Sequence, residues 1–372
     1  MPYESFPQDL QTAKALKAEL FAAIQKAKET GQTQQAEQLA QQTQAHLDQM
    51  EQKLWPFQEQ LPQAELQKQY TEQKAIFAQN NLLELLPNNE LGIIGIDHKA
   101  YPFPTLEQIQ QELKSNPEFK KKMEQGFTEL HITPFAVPLQ KLTETVSQAI
   151  KRHYVSMPDP KDKTKTIPDP QKTKLFTAKK DPADPNEQLV PLGLDENQPL
   201  WVWDKYQEAD TNGTLVYFPQ QFTQENHQGQ TKAEVLKNQI KFPGYLITLQ
   251  EKQVNIPAEN QGETTQQRKQ LEANLTPNDY LAKFKEDQYQ QESGLTPEEW
   301  LTKFLIHLEK TNEVIDDYQG HGKACYNLGG YFPASGYVSN ANWRRGYPQA
   351  LLDGNVATYQ YSGDGARSGV RV

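Results

Sequence analysis

Residues 329–372 constrain the fold most, because their composition breaks with that of the chain before them. This segment reads GGYFPASGYVSNANWRRGYPQALLDGNVATYQYSGDGARSGVRV and contains no lysine. Short apolar anchors alternate there with Gly, Asn, Tyr, Arg and Ser, a pattern typical of an irregular β region. The upstream chain is rich in Gln, Lys and Glu and mostly has helical periodicity. The sequence therefore predicts an α+β protein with β structure at its C-terminal end.

Composition excludes several classes of protein. The chain has 372 residues and a formal net charge of -10, which argues against a general binder of nucleic acid or of anionic membranes. Cys325 is the single cysteine, so an intramolecular disulfide is impossible and a cysteine-based zinc site is disfavoured. The N-terminus resembles no signal peptide, and no apolar run has the length of a membrane span. We expect a cytoplasmic protein.

The N-terminal region, residues 1–90, is predicted to be helical. Apolar residues recur every three or four positions between residues 8 and 85, and Gln, Glu and Lys fill the other faces. The stripe of the third predicted helix includes Leu66, Tyr70 and Phe77. Two arrangements remain open: a helical hairpin or bundle that folds on itself, and a short coiled coil that forms oligomers.

Residues 91–372 are predicted to form one α+β domain. Strand-like runs occur at 91–96, 129–137, 200–203, 215–218 and 245–249, and Pro134 places the second of them near a sheet edge. Residues 155–198, rich in Pro, Asp and Lys, indicate a solvated insertion. Two similar segments, LTPNDYLAKF and LTPEEWLTKF, each predict a helix start with Thr276 or Thr296 as the N-cap. We expect the second helix to continue to about Tyr318.

Possible chemical sites are weak. Glu313 and Asp317 would share a helical face and could bridge a divalent cation, and His321 and Cys325 could pair in a loop as base and nucleophile. A solvated acidic face and an inert cysteine explain the same residues. Phosphate-binding, nucleophile-elbow and HExxH motifs are absent from the sequence. We therefore expect no enzyme, no cofactor and no metal.

The C-terminal segment offers many side chains for contact with a ligand. Trp343 is a natural core anchor, residues 355–361 alternate as a strand would, and a final strand starts near Ala366. Composition alone leaves a binding surface and a plain polar β region equally open. The side chains expected to face outward are Tyr337, Asn340, Asn342, Arg344, Tyr347, Asp353, Asn355, Thr358, Tyr361 and Asp364.

This same segment resembles the variable region of the target proteins of diversity-generating retroelements, notably those of candidate-phyla bacteria. The upstream segments PLWVWDKY, KQLEANLTPNDYL, ESGLTPEEWL and EKTNEVIDDYQGHGKACYNLGGYFPASG are similar to such proteins as well. In that family a reverse transcriptase rewrites adenine-rich codons at the 3′ end of the target gene. The variable domain usually has a C-type lectin fold that presents the diversified side chains to a ligand.

The resemblance implies a C-type-lectin-like domain at 91–372 with helical insertions, and a variable segment at about 331–366. The outward side chains named above would be the diversified ligand-binding positions, and the expected ligand is another protein. The oligomeric state stays open. Two alternatives are an enzyme on the related formylglycine-generating scaffold, whose common form uses two cysteines, and a structural oligomer built on the N-terminal helices. The scaffold positions that the resemblance implies are Gly330, Phe332, Trp343, Gly365, Arg367, Gly369 and Arg371.

Overall fold

Two compact units divide the chain, Met1–Lys68 and Gln69–Val372. The computed structural model describes residues 63–169, 171–175, 194–210, 213–320, 322–345 and 347–372. The predicted helices before residue 63, and with them the choice between hairpin and coiled coil, lie outside the described residues. The second unit begins earlier than the predicted boundary at residue 91. It includes most of a helix that continues to residue 79.

Helices and strands are mixed along the chain, as the α+β prediction requires. The described part contains seven α-helices: α1 (63–79), α2 (Leu106–Ser115), α3 (Pro117–Glu124), α4 (Leu139–His153), α5 (Lys232–Asn238), α6 (Pro277–Lys283) and α7 (Pro297–Thr311). The predictions for α2, α4, α6 and the start of α7 are confirmed. Sequence reasoning did not identify α3 and α5.

Minor strands form three small sheets. A three-stranded sheet contains β1 (Glu84–Leu85), β2 (Leu91–Ile94) and β3 (Ala100–Pro102). Two hairpins contain β5 (Ser156–Pro158) with β6 (Thr166–Pro168), and β10 (Thr264–Thr265) with β11 (Arg268–Lys269). The first hairpin lies inside the predicted insertion at 155–198, so the described part of that insertion is not structureless.

An antiparallel sheet of four strands joins distant parts of the chain in the order β12–β18–β9–β4. Its strands are β4 (Phe127–Thr133), β9 (Leu246–Glu251), β12 (Glu292–Gly294) and β18 (Ser368–Arg371). The C-terminal strand thus lies inside the sheet, between two strands that come much earlier in the chain. The edge position of β4, predicted from Pro134, is confirmed.

Glutamines of α1 cover the open edge of β4. The Gln73 side chain, only 2% exposed, accepts from the Ile132 N–H at 2.9 Å and donates to the Leu130 carbonyl at 2.6 Å. Gln69 accepts from the Leu130 N–H at 2.7 Å. An uncovered edge strand would present free N–H and C=O groups to other chains. These two glutamines therefore form part of the folded unit, although the sequence placed them on a solvated face.

A larger sheet of seven strands forms the C-terminal half of the second unit. Its main path is β17–β14–β15–β16–β7, with β13 on β15 and β8 on β14. The strands are β7 (Leu200–Val202), β8 (Val216–Tyr217), β13 (Asp317–Tyr318), β14 (Ala324–Phe332), β15 (Tyr337–Arg344), β16 (Gln349–Val356) and β17 (Asp364–Ala366).

Local capping residues explain the two similar helices. In α7 the Thr296 side chain accepts from the Glu299 N–H, and the Glu299 carboxylate accepts from the Thr296 N–H. Asp279 does the same for Thr276 in α6. The expected extension of α7 to residue 318 is wrong. The helix ends at Thr311, because Asn312 takes a left-handed conformation with φ of 57°.

The core between α7 and the large sheet contains the predicted anchor Trp343. Its side chain is fully buried, and its ring stacks on that of Phe304 with centroids 6.2 Å apart. Arg371 of β18 pairs with the Glu299 carboxylate at 2.8 Å. Gly365 has no room for a side chain, since an added Cβ would lie 2.6 Å from a methyl carbon of Ile256. The resemblance implied a scaffold role for Trp343, Arg371 and Gly365, and these contacts suit that role.

A buried ion pair links the C-terminal segment to the loop after α7. The Arg367 guanidinium donates to both carboxylate oxygens of Asp316, at 2.6 and 3.0 Å. It also donates to the carbonyls of Gln253 and Val254 at 2.9 and 2.7 Å. Asp316 is fully buried and accepts in addition from the indole N–H of Trp300. This ion pair holds the segment 364–371 against the rest of the unit.

Candidate functional site

Side chains of β15 alternate between two faces of the large sheet. Ser339, Ala341 and Trp343 are fully buried, and Trp343 packs on α7. Val338, Asn340 and Asn342 therefore point to the opposite face, which we call the outer face. The outer face carries most of the residues for which the sequence predicted contact with a ligand.

A row of polar side chains crosses three strands of the outer face. Tyr326 of β14 lies opposite Asn340 of β15, which lies opposite Asp353 of β16. Residues paired in this way share one face of a sheet. The Tyr326 hydroxyl donates to Oδ2 of Asp364 at 2.9 Å and so extends the row to β17. Tyrosine, amide and carboxylate groups are thereby brought together from four strands.

Two asparagines in this region are buried and incompletely bonded. Asn340 and Asn342 are each 7% exposed, and Asp364 is 6% exposed. Nδ2 of Asn340 and Oδ1 of Asn342 have no hydrogen-bond partner in the described structure. A buried amide group without a partner costs about 1 to 3 kcal/mol. The burial of these two polar atoms is therefore not compensated by a hydrogen bond within the described part of the protein.

Their burial corrects the prediction that all ten candidate side chains face solvent. Asn340, Asn342 and Asp364 are buried, and the chain returns over part of this face after β16. The Tyr359 carbonyl lies 3.2 Å from the Tyr326 hydroxyl, and Ala357 packs in the same cluster as Tyr326. The expected strand alternation over 355–361 is also wrong, since β16 ends at Val356 and the next residues form turns.

Exposed tyrosines are concentrated in the chain after β15. Eight large hydrophobic side chains are exposed in the described part of the chain, and four of them lie between residues 347 and 361: Tyr347, Val356, Tyr359 and Tyr361. The rings of Tyr359 and Tyr361 stack with centroids 6.1 Å apart. The Tyr318 hydroxyl lies 3.5 Å from that of Tyr361. We call Tyr318, Tyr359 and Tyr361 the tyrosine rim.

Other candidate residues have varied positions. Arg344 is half-buried and lies over the ring of Tyr347 at 5.1 Å, at the end of β15. Thr358 is exposed in the turn after β16, and Asn355 is half-buried. Tyr337 belongs to the inner face and stacks on Trp203 with centroids 5.3 Å apart. Nine of the ten candidates thus lie on the outer face or in the loops near its strand ends, and Tyr337 does not.

Burial changes the electrostatics of the two carboxylates on this face. Desolvation raises the pKa of Asp364 to about 6, although the hydrogen bond from Tyr326 and the charge of Lys323 oppose the change. Desolvation also raises the pKa of Asp353, against the hydrogen bond that its carboxylate accepts from the Gly354 N–H. Neither carboxylate has an ion-pair partner among the described residues. Both would gain from a cationic group supplied by a ligand.

Residues considered for metal or nucleophilic chemistry have other roles. Glu313 and Asp317 do not share a helical face, because both follow the end of α7. They pair with Lys174 and Arg345. Among the described residues no group of three or more His, Cys, Asp or Glu side chains is arranged to hold a metal ion.

Cys325 does not lie in a loop as expected. It is a fully buried residue of β14, and desolvation by burial raises the pKa of its thiol. A nucleophilic cysteine needs access and a lowered pKa, so this thiol is poorly suited to that chemistry. His321, its proposed partner, lies outside the described residues.

Sequence reasoning missed Tyr318, Tyr326 and Tyr359. Every residue of β14 is buried, so burial in that strand does not single out Tyr326, and the return of the turn 357–363 over the sheet depends on contacts distant in sequence. Comparisons with protein-family models, with curated proteins and with solved structures found no match. Within the described ranges, none of the helices combines the length and the apolar character needed to cross a bilayer.

Proposed function

We propose that this chain is a ligand-binding protein whose contact surface is the outer face of the large sheet with its tyrosine rim. The observation that carries the proposal is the concentration of exposed large hydrophobic side chains between residues 347 and 361. Soluble proteins expose clustered apolar groups chiefly where they bind other molecules. Tyrosine adds contact area at low entropic cost and is favoured in adaptable protein-binding surfaces. The ligand is accordingly another protein.

We further propose that the chain is a target of a diversity-generating retroelement with a C-type-lectin-like domain. The element order supports this reading: an early strand β4, helices α4 and α7, the antiparallel strands β14, β15 and β16, and a terminal strand that returns to the sheet of β4. A diversified surface must tolerate substitution, and exposed changes typically cost within about 0.5 kcal/mol. Tyr347, Thr358 and Tyr361 are exposed and meet that condition.

The DNA that follows the gene tests this proposal. We expect a near-copy of the codons for residues 337–372 that differs from the gene at adenines, together with a reverse transcriptase gene. We also expect sibling genes to vary at exposed positions such as Tyr347, Thr358 and Tyr361 and to keep Trp343 and Arg367. Substitutions spread evenly over buried and exposed positions would refute the proposal.

A library test examines the surface in the protein itself. Randomising Tyr347, Thr358 and Tyr361 should leave most members folded, and selection should yield binders to an arbitrary folded protein. A matched library at the buried residues Trp343, Phe304 and Leu352 should leave few members folded. If both libraries lost folded protein to the same extent, the exposed positions would not be a tolerant surface.

Two rivals make different predictions. An enzyme of the formylglycine-generating type needs an accessible cysteine, and the burial of Cys325 disfavours it. A turnover that survived Cys325→Ser and failed with an acidic variant would support another enzyme class. If the protein were a structural oligomer built on residues 8–85, deletion of residues 1–62 should dissociate it into monomers, which the molecular mass in solution would show. The binding proposal requires no such change.

A further inference from the structure

Hydrogen-bond acceptors without cationic partners are concentrated on the outer face. The carboxylates of Asp353 and Asp364 lie at opposite ends of the row that passes through Tyr326 and Asn340. Oδ1 of Asn342 is a buried acceptor with no donor. Both carboxylates accept a hydrogen bond from the protein, but neither has a cationic partner among the described residues, so a cationic donor from another molecule would compensate their charge.

Aromatic rings stand beside these acceptors. The Asp364 N–H donates to the Tyr361 carbonyl at 3.0 Å, which holds the backbone of Asp364 beside the tyrosine rim. Tyr359 and Tyr361 are 41% and 42% exposed, so their rings are accessible to a ligand. Faces of aromatic rings attract cations, and this attraction strengthens where water is partly excluded.

We propose that the outer face binds an arginine side chain of the protein ligand, with its guanidinium against the tyrosine rim and hydrogen-bonded to Asp364. This inference rests on the proposed function and adds the chemistry of the contact. Arginine fits better than lysine because its planar guanidinium carries five donors in a fixed geometry and also stacks on aromatic rings. A lysine ammonium could pair with the Asp364 carboxylate but has no planar group to stack on the rings of the tyrosine rim.

None of the cationic groups of the described chain near the outer face forms an ion pair with Asp364. Arg344 lies over Tyr347 at 5.1 Å, and Arg345 pairs with Asp317. Lys323 acts on Asp364 through its charge but forms no ion pair with it within 4.0 Å. The titratable groups that face Asp364 are otherwise the hydroxyls of Tyr280, Tyr318 and Tyr326. All three are neutral at pH 7, because burial or hydrogen bonding raises each pKa.

Blocked tripeptides test the proposal on the full chain. The probes are acetyl-Gly-Arg-Gly-amide and its citrulline counterpart, which has nearly the same shape without the charge. Saturation-transfer NMR measures the Kd of each peptide at pH 7.5 and at pH 5. We expect the arginine peptide to bind about 10-fold tighter than the citrulline peptide at pH 7.5, as a charge-assisted bond should. At pH 5 the preference should shrink, because Asp364 then takes up a proton.

Three variants locate the contact. Asp364→Asn should weaken binding of the arginine peptide about 10-fold and remove its pH dependence. Tyr361→Ser keeps the test valid if the first variant fails to fold, since Tyr361 is exposed; it should also weaken arginine binding. Glu225→Gln, in an exposed loop, is the matched control and should change nothing.

Equal affinity for arginine and citrulline, or unchanged arginine binding in both Asp364→Asn and Tyr361→Ser, would overturn the inference. Failure here is distinguishable from failure of the proposed function. If selected libraries yield binders while arginine is not preferred, only the arginine contact is wrong. If no library yields binders while the arginine preference holds, the diversified surface is wrong and the contact remains.

Discussion

Loss of the Arg367 guanidinium should destabilise the protein strongly. In Arg367→Met the side chain keeps a similar length, but the Asp316 carboxylate loses three charge-assisted hydrogen bonds, and the carbonyls of Gln253 and Val254 lose one donor each. Asp316 is fully buried and keeps only the bond from Trp300. Breaking a buried ion pair from one side costs about 3 to 5 kcal/mol because the other charge is left uncompensated.

Urea unfolding followed by tryptophan fluorescence measures this loss, since Trp300 is close to the ion pair and Trp343 lies in the same core. Arg344→Met, at a half-buried arginine that forms no ion pair with any described residue, is the matched control and should cost less than about 1 kcal/mol. The double variant Asp316→Asn, Arg367→Met should regain part of the loss, because no unpaired charge stays buried. A cost of 1 kcal/mol or less for Arg367→Met would refute the reasoning.

Three further predictions concern other buried groups. His131 is 4% exposed, and desolvation lowers its pKa to about 4, below its ordinary value of 6.5. As the pH falls, the unfolded chain therefore takes up this proton before the folded chain does. The free energy of unfolding has its full value above pH 6.5 and falls between pH 6.5 and pH 4. The loss at pH 5 is about 2 kcal/mol, and the pH dependence of urea unfolding should flatten by that amount in His131→Gln; an equal slope in both proteins would contradict it. Gln73→Leu removes two bonds to the edge strand and should cost about 1 to 3 kcal/mol and promote aggregation in light scattering, whereas Gln79→Leu, at an exposed position of α1, should do neither. Cys325 should resist a thiol reagent in the native protein and react fully in urea, because its thiol is buried; rapid native labelling would show that β14 opens.

Local sequence patterns were sufficient for several elements. The capping threonines located the starts of α6 and α7, because the bonds that begin a helix involve residues three positions apart. Pro134 correctly indicated that β4 lies at a sheet edge, since proline cannot donate to a ladder. The composition of residues 329–372 correctly indicated β structure with accessible tyrosines at 347 and 361.

The same patterns misjudged the exposure of polar residues. Alternation in β15 shows only that the side chains of Asn340 and Asn342 point to the opposite face from Trp343. From the sequence, that face looks exposed to solvent. The turn 357–363 lies over Tyr326, the neighbour of Asn340 on β14, and its position depends on contacts with other strands and helices. Gln73 looks solvated for the same reason, although the backbone it bonds is more than fifty residues away.

Residues 329–372 show where these limits lie. Their composition alone indicated a β region rich in contact-forming side chains, because side-chain types and their period of two are local properties. Folding then separated those side chains into a buried or half-buried polar row and an accessible tyrosine rim. That separation needed the return of the chain after β16 and the pairing of β14 with β17, which bring together groups distant in sequence. Burial of a polar group is a property of its neighbours in space, and the chain order alone does not contain it.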